Sequence, residues 1–376
     1  MKRLTYIVIS LLILSACSTI KIEKLNSNSE IKSNGFVYAL PKTELNIEFK
    51  VVKTKSFKGP FSDYSDEYLG FDNVIESDAI NYKIANINVI PSQTNDTSKL
   101  YFISGKSKNF KTFEYINNTL VLKSINIEQK NNETTCSYST SIKNNITDDE
   151  SYIPFKDITI KPLVIEKNDT IWKNILVDSV YKRVPKINKA IAPSTIKDQA
   201  FAASKFIFKI RKRRLRVITG MDEKFPSGKS INKIINELNK LEESYIELFT
   251  GKIMSDTIVY SYKITPNEHD KFTELKINYD NKNGFSDNSN NTIIISVSKQ
   301  SQNNVLDNIS RSEKTNNKFV YRLPENANLN IKFGNKSFLN KSIPVSQYGY
   351  LNFLNKNTLD KEVLFDEKSG NLIYIK

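Results

Sequence analysis

Phe36-Val37-Tyr38-Ala39-Leu40-Pro41-Lys42-Thr43-Glu44-Leu45-Asn46-Ile47-Glu48-Phe49 is the stretch that decides the fold. Leu45, Ile47, Phe49 and Val51 occupy every second position with polar residues between them, the period of a half-buried β-strand. The wording returns near the other end of the chain. There Phe319-Val320-Tyr321-Arg322-Leu323-Pro324 is followed, with one residue inserted, by Leu329-Asn330-Ile331-Lys332-Phe333. Further on, Pro60 precedes Tyr68-Leu69-Gly70, and Pro344 precedes Gln347-Tyr348-Gly349. The expectation is two related β-modules in which 36–53 and 319–333 each form a strand pair, with Pro41 and Pro324 at equivalent bends.

The same alternation recurs at Leu120 and Leu122, Ile158 and Ile160, and Ile258, Tyr260 and Tyr262, separated by turn-forming clusters such as Asn281-Lys282-Asn283-Gly284. One segment changes period. From Thr195 to Gly251 apolar residues recur every three or four positions. Thr195 with Asp198 makes a capping box with Asp in place of Glu, and Gly220 stops the first helix. Ser227 is the expected cap of a second helix, whose wide face carries Ile231, Ile234, Ile235, Leu238, Leu241, Tyr245, Leu248 and Phe249. The fold class is therefore mainly β with an inserted antiparallel α-hairpin (α+β). The expected divisions are a signal peptide over 1–16, a lipidated flexible tether over 17–35, an N-terminal β domain over 36–190, the helical hairpin over 194–252 and a C-terminal β domain over 253–376.

The N-terminus sets the address. Met1-Lys2-Arg3, an apolar run from Ile7 to Leu14 and then Ser15-Ala16-Cys17 have the three parts of a secretory signal. Leu14-Ser15-Ala16-Cys17 resembles the lipobox of bacterial lipoproteins, which implies cleavage before Cys17 and acyl chains on its sulfur, enough to hold a protein on a bilayer. Ser18-Thr19-Ile20-Lys21 has no acidic residue, which favours the outer membrane with the body facing the periplasm. The formal charge is +14, but Lys, Asn and Ile are spread along the whole chain, so we expect no nucleic-acid partner. Once Cys17 carries lipid, Cys136 is the only thiol left, and an internal disulfide is excluded.

Several stretches resemble one known family. Phe206-Ile207-Phe208-Lys209-Ile210-Arg211-Lys212-Arg213-Arg214, Pro226 with Gly228, Glu237-Leu238-Asn239-Lys240-Leu241-Glu242 and Leu248-Phe249-Thr250-Gly251-Lys252 are similar to the core of a Bacteroidetes lipoprotein family, that of domain of unknown function 4831. Tyr38-Ala39-Leu40-Pro41, Tyr68-Leu69-Gly70 and Gln347-Tyr348-Gly349 fit the same family. The resemblance spans the mature chain, departs most over 94–147, and implies fold and location but no activity, ligand or catalytic residue.

Candidate chemistry is sparse. Gly228-Lys229-Ser230 resembles the end of a phosphate-binding loop, but Glu223 stands where that motif needs Gly. His269 is the only histidine, so zinc sites built from several His or Cys are excluded for a single chain, and no nucleophile elbow exists to partner it. Asp148 and Asp149 lack calcium-loop spacing. We assign no catalytic residue, metal or cofactor. Carboxylate-only hydrolysis, of the glycosidase kind, is the alternative to a non-catalytic scaffold that binds another envelope protein or a glycan. Thr170, Ser179 and Thr257 each follow Asp and precede an aliphatic residue, the pattern of an O-glycan acceptor.

The first helix carries the sharpest expectations. Lys205, Lys209, Lys212 and Arg216 share one face, either a solvated surface paired with Glu237, Glu242 and Glu247 or a docking surface. Arg214 falls with Ile207, Ile210 and Val217, so it is expected to be a buried, paired arginine. Ile196, Ala203, Ile207, Ile210 and Val217 form one apolar stripe, and Phe201, Phe208 and Leu215 form another nearly opposite, at about 100° per residue. Two stripes predict a helix sandwiched within the chain; if the second is uncovered, Phe201, Phe208 and Leu215 beside the cations become a partner-docking surface. For the address, Cys17→Ala should abolish incorporation of labelled fatty acid. A Cys17→Ala protein that still carries lipid would overturn the reading.

Overall fold

The computed structural model describes residues 20–25, 35–105, 112–116, 118–127, 153–156, 164–177, 180–221, 228–300 and 318–376. The signal segment, Cys17, Ser227, Cys136, Asp148, Asp149, Ser179 and the strand expected at Ile158 and Ile160 lie outside them. The fold is mainly β with an antiparallel helix pair, as the periodicities require. The strands are β1 (Lys21–Leu25), β2 (Gly35–Phe57), β3 (Ala79–Ser104), β4 (Phe113–Tyr115), β5 (Leu122–Ile125), β6 (Val164–Val177), β7 (Val180–Pro193), β8 (Lys252–Ile264), β9 (Phe272–Asp280), β10 (Gly284–Phe285), β11 (Thr292–Lys299), β12 (Lys318–Phe333), β13 (Lys336–Asn355), β14 (Val363–Phe365) and β15 (Leu372–Ile375). The helices are α1 (Ser65–Leu69), α2 (Ile196–Thr219) and α3 (Lys229–Thr250).

The chain forms two compact units that do not follow the expected N- and C-terminal division. The first takes Met1–Val51, Tyr82–Lys143 and Ile258–Lys376; the second takes Val52–Asn81 and Asn144–Thr257. Both ends of the chain thus build one body. The expected tether is also shorter than read: Lys21–Leu25 is a strand paired antiparallel with Leu100–Ser104, and Ile20 and Ile22 are buried. Apolar Ile at two alternate positions docks the segment on β3.

In the first unit the repeat proves to be a pair of long strands and not a pair of strand pairs. β2 and β12 each run straight through their proline and thread two apolar cores in the same order. Tyr38 and Leu40 of β2 join Phe319, Val320 and Tyr321 of β12 in one core, with Leu122, Ile125, Val363 and Phe365. Leu45, Ile47, Phe49 and Val51 then join Leu329 and Ile331 in the other, with Ile277, Ile293, Ile295 and Val297. The register between β11 and β12 sets Ile295 opposite Ile331 and Val297 opposite Leu329, so one face of the sheet is continuously apolar. β2 lies between β3 and β8, and β12 lies between β11 and β13.

Pro324 sits where it does because it has no N–H to give a ladder. Between Leu323↔Tyr350 and Glu325↔Val345 the register breaks, and Ser346 to Gly349 form a bulge on β13. A Cβ on Gly349 would stand 1.7 Å from the Leu323 carbonyl oxygen, so only glycine fits where the two backbones cross. The counterpart Gly70 in the repeat does something else: it ends α1 in the left-handed conformation, φ 69°, with open space around it. The later half of the repeat is therefore not structural.

In the second unit the helix signals are met. The Thr195 hydroxyl accepts from Asp198 N at 3.2 Å, the Asp198 carboxylate accepts from Thr195 N at 2.9 Å, and Gly220 closes α2 in the left-handed region. Ala200, Ala203 and Ile207 pack with Phe61, Leu248 and Phe249 into a small core of its own. Gly251, φ 89°, ends α3, and a Cβ there would meet the Phe57 carbonyl oxygen at 2.5 Å. Gly349→Ala should lower stability by about 3 kcal/mol, at the upper end of overpacking costs. Gly70→Ala should cost only about 1 kcal/mol, the conformational penalty alone. Thermal melting of the two variants checks the difference, and equal losses would contradict the crossing at Gly349.

Candidate functional site

Between the two cores of the first unit runs a buried polar seam, and its centre is Arg322. This is the repeat position that differs, Ala39 in β2 against Arg322 in β12. Arg322 is 1% exposed. Its Nη1 donates to the Pro41 carbonyl oxygen at 2.7 Å, and its Nη2 donates to Asp96 Oδ2 at 2.7 Å and Glu268 Oε2 at 3.1 Å. Asp96 Oδ1 accepts from the Ser98 amide at 3.1 Å and hydroxyl at 2.6 Å. Lys99 Nζ donates to both oxygens of Glu268, at 2.5 and 2.6 Å. Two cations therefore face two carboxylates, and a charge that would be very costly to bury alone is neutralised in place.

Beside it the bulge residue Gln347 uses its side-chain amide as a piece of strand. Thr43 N donates to its Oε1 at 2.8 Å, and its Nε2 donates to the carbonyl oxygens of Thr43 at 2.9 Å and Pro266 at 2.7 Å. Ser346 N donates to Thr43 Oγ1 at 2.9 Å, and the Ser346 hydroxyl donates to Ser369 O at 2.8 Å. Gln93 Nε2 donates to Lys368 O at 2.6 Å. Tyr38 completes the seam against the repeat partner: its Oη donates to Val320 O and accepts from Val320 N, both at 3.1 Å, while its ring stacks on Phe319. Burial pushes the Tyr38 phenol well above its ordinary pKa, so it stays neutral.

The seam is built for cohesion. Burial raises the Asp96 carboxyl, but the Ser98 hydrogen bonds and the Arg322 charge outweigh it and hold the group below its usual range. A general acid needs the opposite shift. The pocket lined by Tyr38, Leu40, Val121, Phe319 and Arg322 is about 20 Å³, room for no more than one water. His269 is exposed in the turn between β8 and β9, next to Glu268, and its ring has no role in the seam. Among the described residues no group of three or more His, Cys, Asp or Glu is placed to hold a metal ion.

On the second unit α2 presents the predicted stripes, with one correction. Ala203, Ile207, Ile210 and Val217 are buried, while Ile196 is exposed. Phe201, Phe208 and Leu215 are not sandwiched: they are 46, 51 and 60% exposed. The reason is that α3 packs on the side of α2 that carries Ala203 and Ile207, while α1 reaches the stripe at its Phe201 end, with the Tyr68 ring 5.6 Å from that of Phe201. Lys205, Lys209, Lys212 and Arg216 are exposed beside the stripe. Lys205 Nζ lies 4.2 Å from the Phe201 ring centre, and the Arg211 guanidinium lies 5.6 Å from that of Phe208. Arg214 is paired, though half-buried and not buried. The buried member is Glu242, which accepts from Arg214 Nη1 and, at 2.6 Å, from Arg211 Nε. Burial raises the Glu242 carboxyl, and the two arginines bring it below its ordinary range. Thr170 and Thr257 are exposed on β6 and β8.

A family model covers residues 34–160 and 184–373, well over half of the chain. The chain belongs to the DUF4831 family, a domain of unknown function. No curated protein and no solved structure matches it. The matched residues include Asp96, Glu268, Arg322 and all of α2, so both the seam and the helix face lie within the family's own domain, whereas 161–183 fall outside it.

Sequence reasoning found α2 and missed the seam. Arg322 and Asp96 are 226 positions apart, and no local pattern joins them. The available signal was the Ala39-to-Arg322 difference inside an otherwise matching six-residue stretch, Phe36–Pro41 against Phe319–Pro324. Arg322→Ala should cost about 3–5 kcal/mol by leaving Asp96 without its counter-ion, while Glu268 keeps Lys99. The double change Arg322→Met, Asp96→Asn, which leaves Glu268 paired with Lys99, should recover most of that loss in denaturant titrations. Because the Asp96 carboxyl is lowered on folding, its stabilisation is present above its unfolded pKa near 3.8 and is lost as pH falls below that value. Asp96→Asn should therefore be less stable than the parent at neutral pH, and the gap should close below about pH 4.

Proposed function

We propose that this chain is a non-catalytic binding accessory of the bacterial envelope. In this reading it is exported, cut before Cys17, held by lipid on the outer membrane with its body facing the periplasm, and docked to another envelope protein through the outer face of α2. The observation that carries the docking reading is the exposure of Phe201, Phe208 and Leu215 at seven-residue spacing beside Lys205, Lys209, Lys212 and Arg216. Leaving a large apolar side chain in water forgoes about 1.5–3 kcal/mol, and here three are left on one line. An apolar line flanked by cations fits a partner surface with an apolar strip edged by Asp and Glu. The lipobox-like Leu14-Ser15-Ala16-Cys17 supports the anchor, and the resemblance to a Bacteroidetes lipoprotein family supports the compartment.

A carboxylate hydrolase is the weaker reading. Its two carboxylates would need pKa values pushed apart, one of them up. Asp96 is held down and shares Arg322 with Glu268.

The test is crosslinking and affinity capture from native membranes with parent, Phe208→Asp and Ile210→Asp proteins. Phe208→Asp should melt within about 2 °C of the parent, as surface changes do, yet lose the captured partner. Ile210→Asp should fail to fold, because Ile210 is buried. Undiminished capture by folded Phe208→Asp would remove α2 from the role.

A further inference from the structure

β6 and β7 form a two-stranded antiparallel hairpin whose register runs unbroken from Val164↔Pro193 to Val177↔Val180. It joins no other strand of the described residues. Its rungs sort by chemistry. The two nearest the turn are Val177↔Val180 and Leu176↔Tyr181, all four apolar or aromatic and all exposed, Leu176 at 59% and Tyr181 at 73%. The rungs behind them bring in cations: Lys182 opposite Ile175, Arg183 opposite Asn174, Lys173 opposite Val184 and Lys186 opposite Ile171. Trp172 sits in that same band opposite Pro185, half-exposed, with the Arg183 guanidinium 5.4 Å from its ring centre.

Opposed residues share a face and successive rungs alternate, so both faces of the hairpin are apolar near the tip. Leu176, Tyr181 and Trp172 lie on one face; Val177, Val180 and Ile175 lie on the other. A protein groove covers one face of a two-stranded sheet and leaves the other wet. A bilayer surrounds the element and covers both.

We propose that the β6–β7 hairpin is a membrane-contacting finger that dips its tip into a bilayer surface bearing anionic headgroups. The apolar rungs Val177↔Val180 and Leu176↔Tyr181 enter among the headgroups and no deeper, because Asp178, which follows Val177 in the chain, must keep its contact with water. Trp172 lies at the interface, where amphipathic rings are favoured. Lys173, Lys182, Arg183 and Lys186 meet the lipid phosphates, with their stems lying along apolar surface. Residues 164–193 hold six Lys or Arg against three Asp or Glu, so the finger as a whole is attracted to negative charge. The depth is shallow, because the outer edges of a two-stranded sheet carry backbone N–H and C=O groups that need water. The finger is separate from the α2 face, does not depend on the Cys17 anchor, and its residues 161–183 lie outside the family match.

Trp172 is the only tryptophan in the chain, so the full mature chain carrying Cys17→Ala, which leaves no residue for the acyl anchor, reports on this site without a label. Its emission is recorded in buffer, with phosphatidylcholine vesicles and with vesicles containing phosphatidylglycerol, plain or brominated along the acyl chains. The expected result is a blue shift and bromine quenching that are strongest with phosphatidylglycerol. The triple change Lys173→Gln, Lys182→Gln, Lys186→Gln should weaken that partitioning on the order of 100-fold, since each cation near an anionic surface is worth about 1 kcal/mol. It should leave the melting temperature and capture through α2 unchanged. Emission identical in buffer and in both kinds of vesicle would overturn the proposal. So would a spectrum that changes with protein concentration in the absence of lipid, which would instead assign the finger to contact with a second copy.

Discussion

The charge on Arg322 is the constraint on which the first unit turns. A guanidinium with almost no exposure must have its charge balanced and its N–H groups accepted. Here the acceptors come from far-separated parts of the chain: the Pro41 carbonyl in β2, Asp96 in β3 and Glu268 in the turn after β8. Satisfying one side chain therefore fixes β2, β3 and the turn after β8 about β12. It also explains why the N-terminal and C-terminal β-segments make one body. Neither holds a complete core, and the polar seam that closes both cores needs residues from each.

The bulge on β13 is the geometric counterpart of that charge. Pro324 interrupts the ladder, Gly349 lets the Leu323 backbone pass, and the displaced Gln347 turns its amide onto the Thr43 backbone. A buried amide that replaces a missing strand partner satisfies groups that would otherwise cost about 1–3 kcal/mol each. Together these contacts tie the strands to one another in the region between the cores. Its carboxylates are paired with Arg322 and Lys99 and hold the strands together.

Two surfaces of the second unit have the composition of contact sites. The outer face of α2 is a line of apolar residues with cations beside it; the β6–β7 finger is an apolar tip with cations behind it. The arrangement of the same residue types separates their partners. A single line on a well-packed helix suits one complementary protein surface. Apolar residues on both faces of a thin hairpin suit a medium that closes around it.

Local order was legible along the chain. Period-two alternation located β2, β8 and β12, and the shift to period 3.6 located α2 and α3. The Thr195–Asp198 box and Gly220 marked the ends of α2 because caps are made between near neighbours. The repeat was read from identities, and its first half, Tyr38 to Phe49 against Tyr321 to Phe333, was real. Its second half failed because Gly70 and Gly349 are both glycines for different reasons, one for a left-handed cap and one for a backbone crossing.

What the sequence by itself determined is which residues alternate, which segments cap and where each side chain points on its own element, since these depend on neighbours within about four positions. Tertiary structure alone decided the rest. It set Arg322 against Asp96 and Glu268, it docked Lys21–Leu25 on β3 where a loose tether was expected, and it left Phe208 in water while burying Ile210. Each of these outcomes depends on which distant element arrives to cover a face, and that is a matter of long-range packing that no local pattern encodes.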